Sequence, residues 1–206
     1  MFWNECLNFI GGSVCARNAD RTLFIFGEKA SLCGRCTGIY FGALLGITAI
    51  FLINLIRKTY SEKVGLIHSV WKFIAIFMAL SMPAEVLSEK FFLYSGSNTI
   101  RSISGLLFSF GFIYLALPSK FKFKTGKEFL FYFTTADIGL LLLIIDSDFL
   151  QFSIIILSTL FVPLLYFLLN FMILNFFLKE KRHKFILSAL LVLFELLSMK
   201  FYHGLF

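Results

Sequence analysis

Charge is what this sequence has least of. Only 15% of its 206 residues are Asp, Glu, Lys or Arg, against about 25% in soluble domains. With 59% hydrophobic residues, 3 prolines and 14 glycines, the composition excludes disorder, collagen-like repeats and an ordinary cytosolic enzyme. Familiar catalytic spacings are missing as well. The chain has no H-E-x-x-H, no P-loop, no G-x-G-x-x-G and no G-x-S-x-G, so those motif-based enzyme classes have no support. No basic stretch precedes the apolar first 14 residues and no small-residue cleavage site follows them. That segment therefore reads as interfacial and not as a signal peptide. Cysteine is absent after Cys36, which argues against scattered core cysteines.

What is abundant is apolar and aromatic. Twenty-nine phenylalanines and an aromatic share of 18%, with a mean hydropathy of +0.87, exceed what a soluble fold of this length can bury. The chain reads as an integral membrane protein. Its net charge of +7 does not point to nucleic acid, because the basic residues fall in short clusters between long apolar runs. Such clusters set membrane topology.

Six apolar runs stand out, at 38–56, 71–87, 103–117, 129–145, 149–178 and 185–201. A helix crosses the hydrocarbon core with about 20 residues. The third run is short and extends back to Arg101. The fifth is too long for one straight crossing and holds Pro163, which predicts a kinked, tilted helix. The expected fold is all-α: a polytopic membrane protein of about six transmembrane helices behind a Cys-rich N-terminal tail. The implied division is a Cys/Arg-rich segment at 1–37, three spans at 38–117 and three more at 118–206. Of the 19 Lys and Arg residues, 12 lie in the first, third and fifth loops. The positive-inside rule then puts those loops in the cytoplasm and both termini outside, in the cell membrane.

Cys6, Cys15, Cys33 and Cys36 are all the cysteines. Cys33-Gly34-Arg35-Cys36 is a C-x-x-C directly before the first long run. That spacing lets two thiols reach one metal ion or form a reducible disulfide. The plainer reading is a pair of disulfides stapling the tail, in any of three pairings. Gly34, Gly38, Gly42 and Gly46 recur every four residues, giving one side-chain-free helix stripe for close packing, against another helix or in an oligomer.

The run from Cys15 to Thr22, then Gly27, then Cys33-Gly-Arg-Cys-Thr-Gly-Ile-Tyr-Phe-Gly42 resembles a prokaryotic membrane-protein family, domain of unknown function 2085. Ser97-Asn98-Thr99-Ile100-Arg101-Ser102-Ile103-Ser104-Gly105 is similar to that family's second conserved segment, and Pro83 to its proline. The resemblance covers roughly residues 10–117. It departs from the family in two ways: Ala16 stands where the family has His, and Glu85, Ser88 and Glu89 stand, in imperfect register, where it carries Asp and Gln. If the family's cysteine elements hold a metal, Cys15, Cys33 and Cys36 are the matching ligands, with Cys6 or His203 making up a fourth.

In a six-span topology the tail, the second loop and the fourth loop, with Asp146 and Asp148, share one side. Arg17, Arg21, Arg35 and Arg101 with Asn98 would then form a positive mouth around the cysteines. Such a mouth favours thiolate or captures an anionic lipid head group or small anion. Glu85, Asp137 and Glu195 lie within spans, where a carboxylate normally faces protein or water. Asp137 is a candidate proton carrier, and Glu195 is expected to pair with Lys200 or His203. Four readings follow: an outward-facing zinc or iron site on the cysteines, a membrane thiol–disulfide oxidoreductase using Cys33 and Cys36, a transporter or head-group binder with structural cysteines, and a stapled scaffold for a partner. Whether the protein is an enzyme is left open.

Overall fold

A backbone in hydrocarbon must satisfy its own hydrogen bonds, and helices do so within one segment. Seven helices form, in a computed structural model that describes residues 2–15, 22–25, 28–57, 68–91, 96–116, 123, 126–145, 147–177 and 181–205. They are α1 (Phe2–Val14), α2 (Gly34–Arg57), α3 (His68–Lys90), α4 (Asn98–Ala116), α5 (Gly126–Ile144), α6 (Asp148–Phe177) and α7 (Lys181–Leu205). Between α1 and α2 run two short antiparallel strands, β1 (Thr22–Ile25) and β2 (Glu28–Cys33). The all-α class holds, with this one hairpin added where the sequence suggested only a tail.

Among the described residues, four helices are long and apolar enough to cross a membrane: Gly34–Ile56, Val70–Lys90, Asn98–Ala116 and Asp148–Phe171. α5 and α7 fill the remaining two apolar runs but carry more charge: Lys127, Glu128 and Asp137 in one, Lys184, Glu195 and Lys200 in the other. α1, at 13 residues, would span only about 20 Å. α6 continues as one helix through Pro163.

The chain divides into two compact units: Met1–Cys33 with Phe152–Phe206, and Gly34–Gln151. The first unit joins both ends of the chain because α1 packs on α7 and on β2. Leu32, Val162, Val192 and Leu196 are buried there. Ser31 and Thr159 share a buried hydroxyl hydrogen bond of 2.8 Å, so β2 and α6 are joined by polar groups that an apolar core would otherwise leave unsatisfied.

In the second unit α4 packs on both α2 and α3, and α5 on α2 and α4. The glycine stripe explains how closely α2 and α4 approach. A Cβ on Gly38 would collide with the Ser102 carbonyl oxygen, and one on Gly42 would lie 2.9 Å from that of Leu106. α4 returns the favour at Gly105, where a Cβ would lie 2.5 Å from the Arg35 carbonyl oxygen. Thus the stripe read as a possible oligomer surface is covered by the chain's own α4. Serines stitch the seam: Ser102 Oγ donates to Gly34 O at 2.9 Å and Ser109 Oγ to Ile39 O at 2.6 Å. On α5, the buried Tyr132 hydroxyl donates to Phe110 O at 2.9 Å. The outer face of α3 is apolar and open, with Phe73 and Phe77 more than 70% exposed, as a lipid-facing surface requires.

Candidate metal centre

Each cysteine of the centre is placed by local structure. Cys33 is the last residue of β2 and pairs across the hairpin with Thr22. Gly34 opens α2 in the next position, which puts Cys36 in the first helical turn. Both residues therefore sit at a helix N-terminus, where the exposed N–H groups favour negative charge. Cys15 follows α1, its N–H donating to Gly11 O at 3.0 Å and extending the last turn. α1 comes onto β2 because Gly11 has no Cβ to strike the Ser31 carbonyl. The end of α1 thereby meets the end of β2, bringing Cys15 to Cys33.

The sulfurs of Cys15, Cys33 and Cys36 all lie within 4.8 Å of one another. Cys15 is buried and the other two are partly so. Around a tetrahedral ion with Zn–S bonds of about 2.3 Å, sulfurs stand roughly 3.8 Å apart. The observed spread is within a rotamer adjustment of that geometry. Cys6 is not part of the group. It lies nine positions earlier along α1, about 13.5 Å by helical rise, so the helical form of the segment removes it from the ligand set expected for it.

Beside the cysteine motif is a network of charge. Arg35, between the two cysteines of the C-x-x-C, donates to Glu85 Oε2 from Nε at 3.0 Å and from Nη2 at 2.6 Å. Its Nη2 also reaches Glu89 Oε2 at 3.1 Å. Glu89 in turn accepts from Arg101 Nη2 through Oε1 at 2.8 Å, and Arg101 Nη1 donates to Asn98 Oδ1 at 3.1 Å. The side chains are mostly withdrawn from solvent, with exposures of 14% for Arg35, 5% for Glu85, 18% for Glu89 and 6% for Arg101. Two guanidinium groups meet two carboxylates, so their charges balance. The network joins the C-x-R-C segment on α2, the glutamates after Pro83 on α3 and the Ser-Asn-x-x-Arg segment on α4.

The backbone is fixed at the same place. A Cβ on Gly34 would lie 2.8 Å from Asn98 O, and Ser102 binds the Gly34 carbonyl. Topology and the family resemblance flagged Arg35, Arg101 and Asn98, and a place within a span flagged Glu85. None of these singled out Glu89 as the bridge, although Glu85 and Glu89 lie at the i, i+4 spacing that shares a helix face.

Other candidate residues fall elsewhere. Arg17, Arg21, Gly27 and Asp146 lie outside the described residues, as does the side chain of His203. Asp148 is in the first turn of α6, a position favourable for negative charge. Asp137 is exposed on α5, next to the exposed Ile138. Glu195 accepts from Asn170 Nδ2 at 3.0 Å, whereas the Lys200 ammonium stands 4.2 Å over the Phe9 ring.

Residues 15–115 match the family model described as "Predicted membrane protein (DUF2085)". An uncharacterized protein of Methanocaldococcus jannaschii, MJ1492, is 28% identical over 124 residues, covering 59% of this chain and 74% of its own length. No solved structure matches the chain. The matched stretch begins at Cys15 and takes in Cys33, Cys36, both glutamates and Arg101, but not Cys6. Through this stretch, just under half its length, the chain matches the DUF2085 family of membrane proteins.

Proposed function

We propose that this membrane protein holds a transition-metal ion through the thiolates of Cys15, Cys33 and Cys36. The observation that carries the reading is the convergence of three sulfurs within 4.8 Å from two separate chain segments. A C-x-x-C alone brings two thiols together by spacing. The third arrives only because α1 packs on β2. Thiolate sulfur is a soft ligand suited to zinc or to iron–sulfur chemistry, and a helix N-terminus offsets part of the charge that three thiolates concentrate.

The broader architecture that suits this centre is a six-span protein with both termini and the cysteine site on the extracytoplasmic side. Support comes from the basic residues in the odd loops and from the helices that occupy all six apolar runs. Anion or head-group capture has less to work with, since the Arg35 and Arg101 guanidinium groups are engaged by carboxylates. No reaction is assigned to the centre.

Elemental analysis of detergent-purified protein, never exposed to chelators, tests the reading. Near-stoichiometric zinc or iron is expected in the parent protein. It should be lost in Cys15→Ser, Cys33→Ser and Cys36→Ser and kept in Cys6→Ser. Metal-free parent protein, or metal retained when Cys33 and Cys36 are both replaced, would sink it.

A further inference from the structure

We infer that the four-residue charge network is a positioning clamp for the metal ligands, with Arg35 as its arm. This deepens the metal reading and rests on it. Arg35 is the second residue of α2 and stands between two proposed ligands. Its guanidinium is spent on Glu85 and Glu89. Three donor contacts to two carboxylates on α3 fix the side chain, and a fixed Arg35 fixes the rotation of the helical turn that also bears Cys36. Cys33 is the residue just before that turn, so its direction is set by the same restraint.

The clamp has a second anchor. Arg101 holds the other oxygen of Glu89 and is itself bound to Asn98. Asn98 and Ser102 press against Gly34, and Ser102 Oγ donates to its carbonyl. The first turn of α2 is thus gripped by its Arg35 side chain from α3 and by its Gly34 backbone from α4. Both grips share the Glu89–Arg101 link. An ion-pair network that served packing alone could sit anywhere along the α2–α4 seam. This one is built at the turn that carries the C-x-x-C, from side chains that are mostly buried. Partners of metal ligands orient the donor atoms, and their removal typically weakens metal binding 10- to 100-fold.

The test measures affinity and stability separately. Zn²⁺ affinity would be read by competition with a chromophoric chelator, and ligand geometry by the visible spectrum of the Co²⁺-loaded protein. Thermal unfolding of the metal-free protein would be followed in parallel. For Glu89→Gln and Arg35→Ala we expect zinc affinity to fall about 10- to 100-fold, with a changed cobalt spectrum. Arg35→Lys, which keeps charge but loses the forked geometry, should fall between them and the parent. If Arg35→Ala does not fold, Glu89→Gln and Arg35→Lys decide the matter. Parent-like zinc affinity and cobalt spectrum in folded variants, even with lowered stability, would show the network to be structural and overturn the clamp while leaving the metal site intact. A parent protein that binds neither ion would instead overturn the metal reading on which the clamp depends.

Discussion

Gly11 and Gly12 are neighbours in α1 and face opposite demands. A Cβ at Gly11 would run into the Ser31 carbonyl of β2, while one at Gly12 meets nothing within 4 Å. Gly11→Ala must push β2 away from α1, at a cost of about 1–3 kcal/mol for overpacking. The same displacement separates Cys15 from Cys33, so metal content should fall with stability. Gly12→Ala removes helix-interior glycine without a clash, and should leave the protein unchanged or stabilise it by roughly 0.5–1 kcal/mol. Thermal unfolding of the two variants in the same detergent checks this, and equal behaviour would contradict the α1–β2 contact. This contrast is invisible in the sequence, where the two glycines read alike. The C-x-x-C was legible because three-residue spacing is a local property. The place of Cys15 beside it came only through the family resemblance, since it depends on a helix meeting a strand. The bridging role of Glu89 went unread for a related reason: it links two arginines that are 66 positions apart in the chain.

At the scale of elements, α4 organises the second unit. Its start lies further back than the apolar run implied, because Ser97 caps it, its hydroxyl accepting from Ile100 N–H at 3.2 Å. That cap places the helix start at Asn98, several residues before the apolar run began, since the first turn is polar and is used for the network and the α2 seam. Less legible were α1 and the hairpin. α1 contains Asn4, Glu5, Asn8 and two glycines, which mask its period. β1 and β2 are only four and six residues long, too short to stand out beside helical runs of twenty. Within α4 the serines have a measurable role. Ser102→Ala and Ser109→Ala each remove a hydroxyl bond to an α2 carbonyl. Interhelical hydrogen bonds in membranes are worth about 0.6 kcal/mol on average, so each change should lower stability slightly. Ser102→Ala should also loosen the Gly34 turn and reduce zinc affinity. Ser109→Ala, two turns further along α4, should not. Equal effects of both on zinc affinity would argue that α4 supports the fold alone.

For the whole molecule the open quantity is the number of crossings, and sidedness measured at two points decides it. If α5 and α7 cross, the chain passes six times: the second loop and the turn before α6 are outside, and the segment joining α6 to α7 is inside. If only the four more apolar helices cross, both the turn before α6 and the α6–α7 segment change sides, while the C-terminus stays outside in either case. The C-terminus is therefore uninformative. Ser147, just before α6, and Lys181, at the start of α7, carry the information. Charge favours six crossings. Lys179, Lys181, Arg182 and Lys184 cluster in the α6–α7 region, and a four-span topology would leave that cluster outside, against the positive-inside tendency. Lys127, Glu128 and Asp137 on α5 pull the other way, since charged groups at depth are costly unless they face protein or water. Single cysteines placed at Ser147 and Lys181 in a cysteine-free variant, labelled with a membrane-impermeant maleimide in intact cells, should react at the first and be protected at the second. The reverse pattern would establish four crossings. It would also turn the exposed Asp137 from a membrane-embedded carboxylate into one on a surface helix.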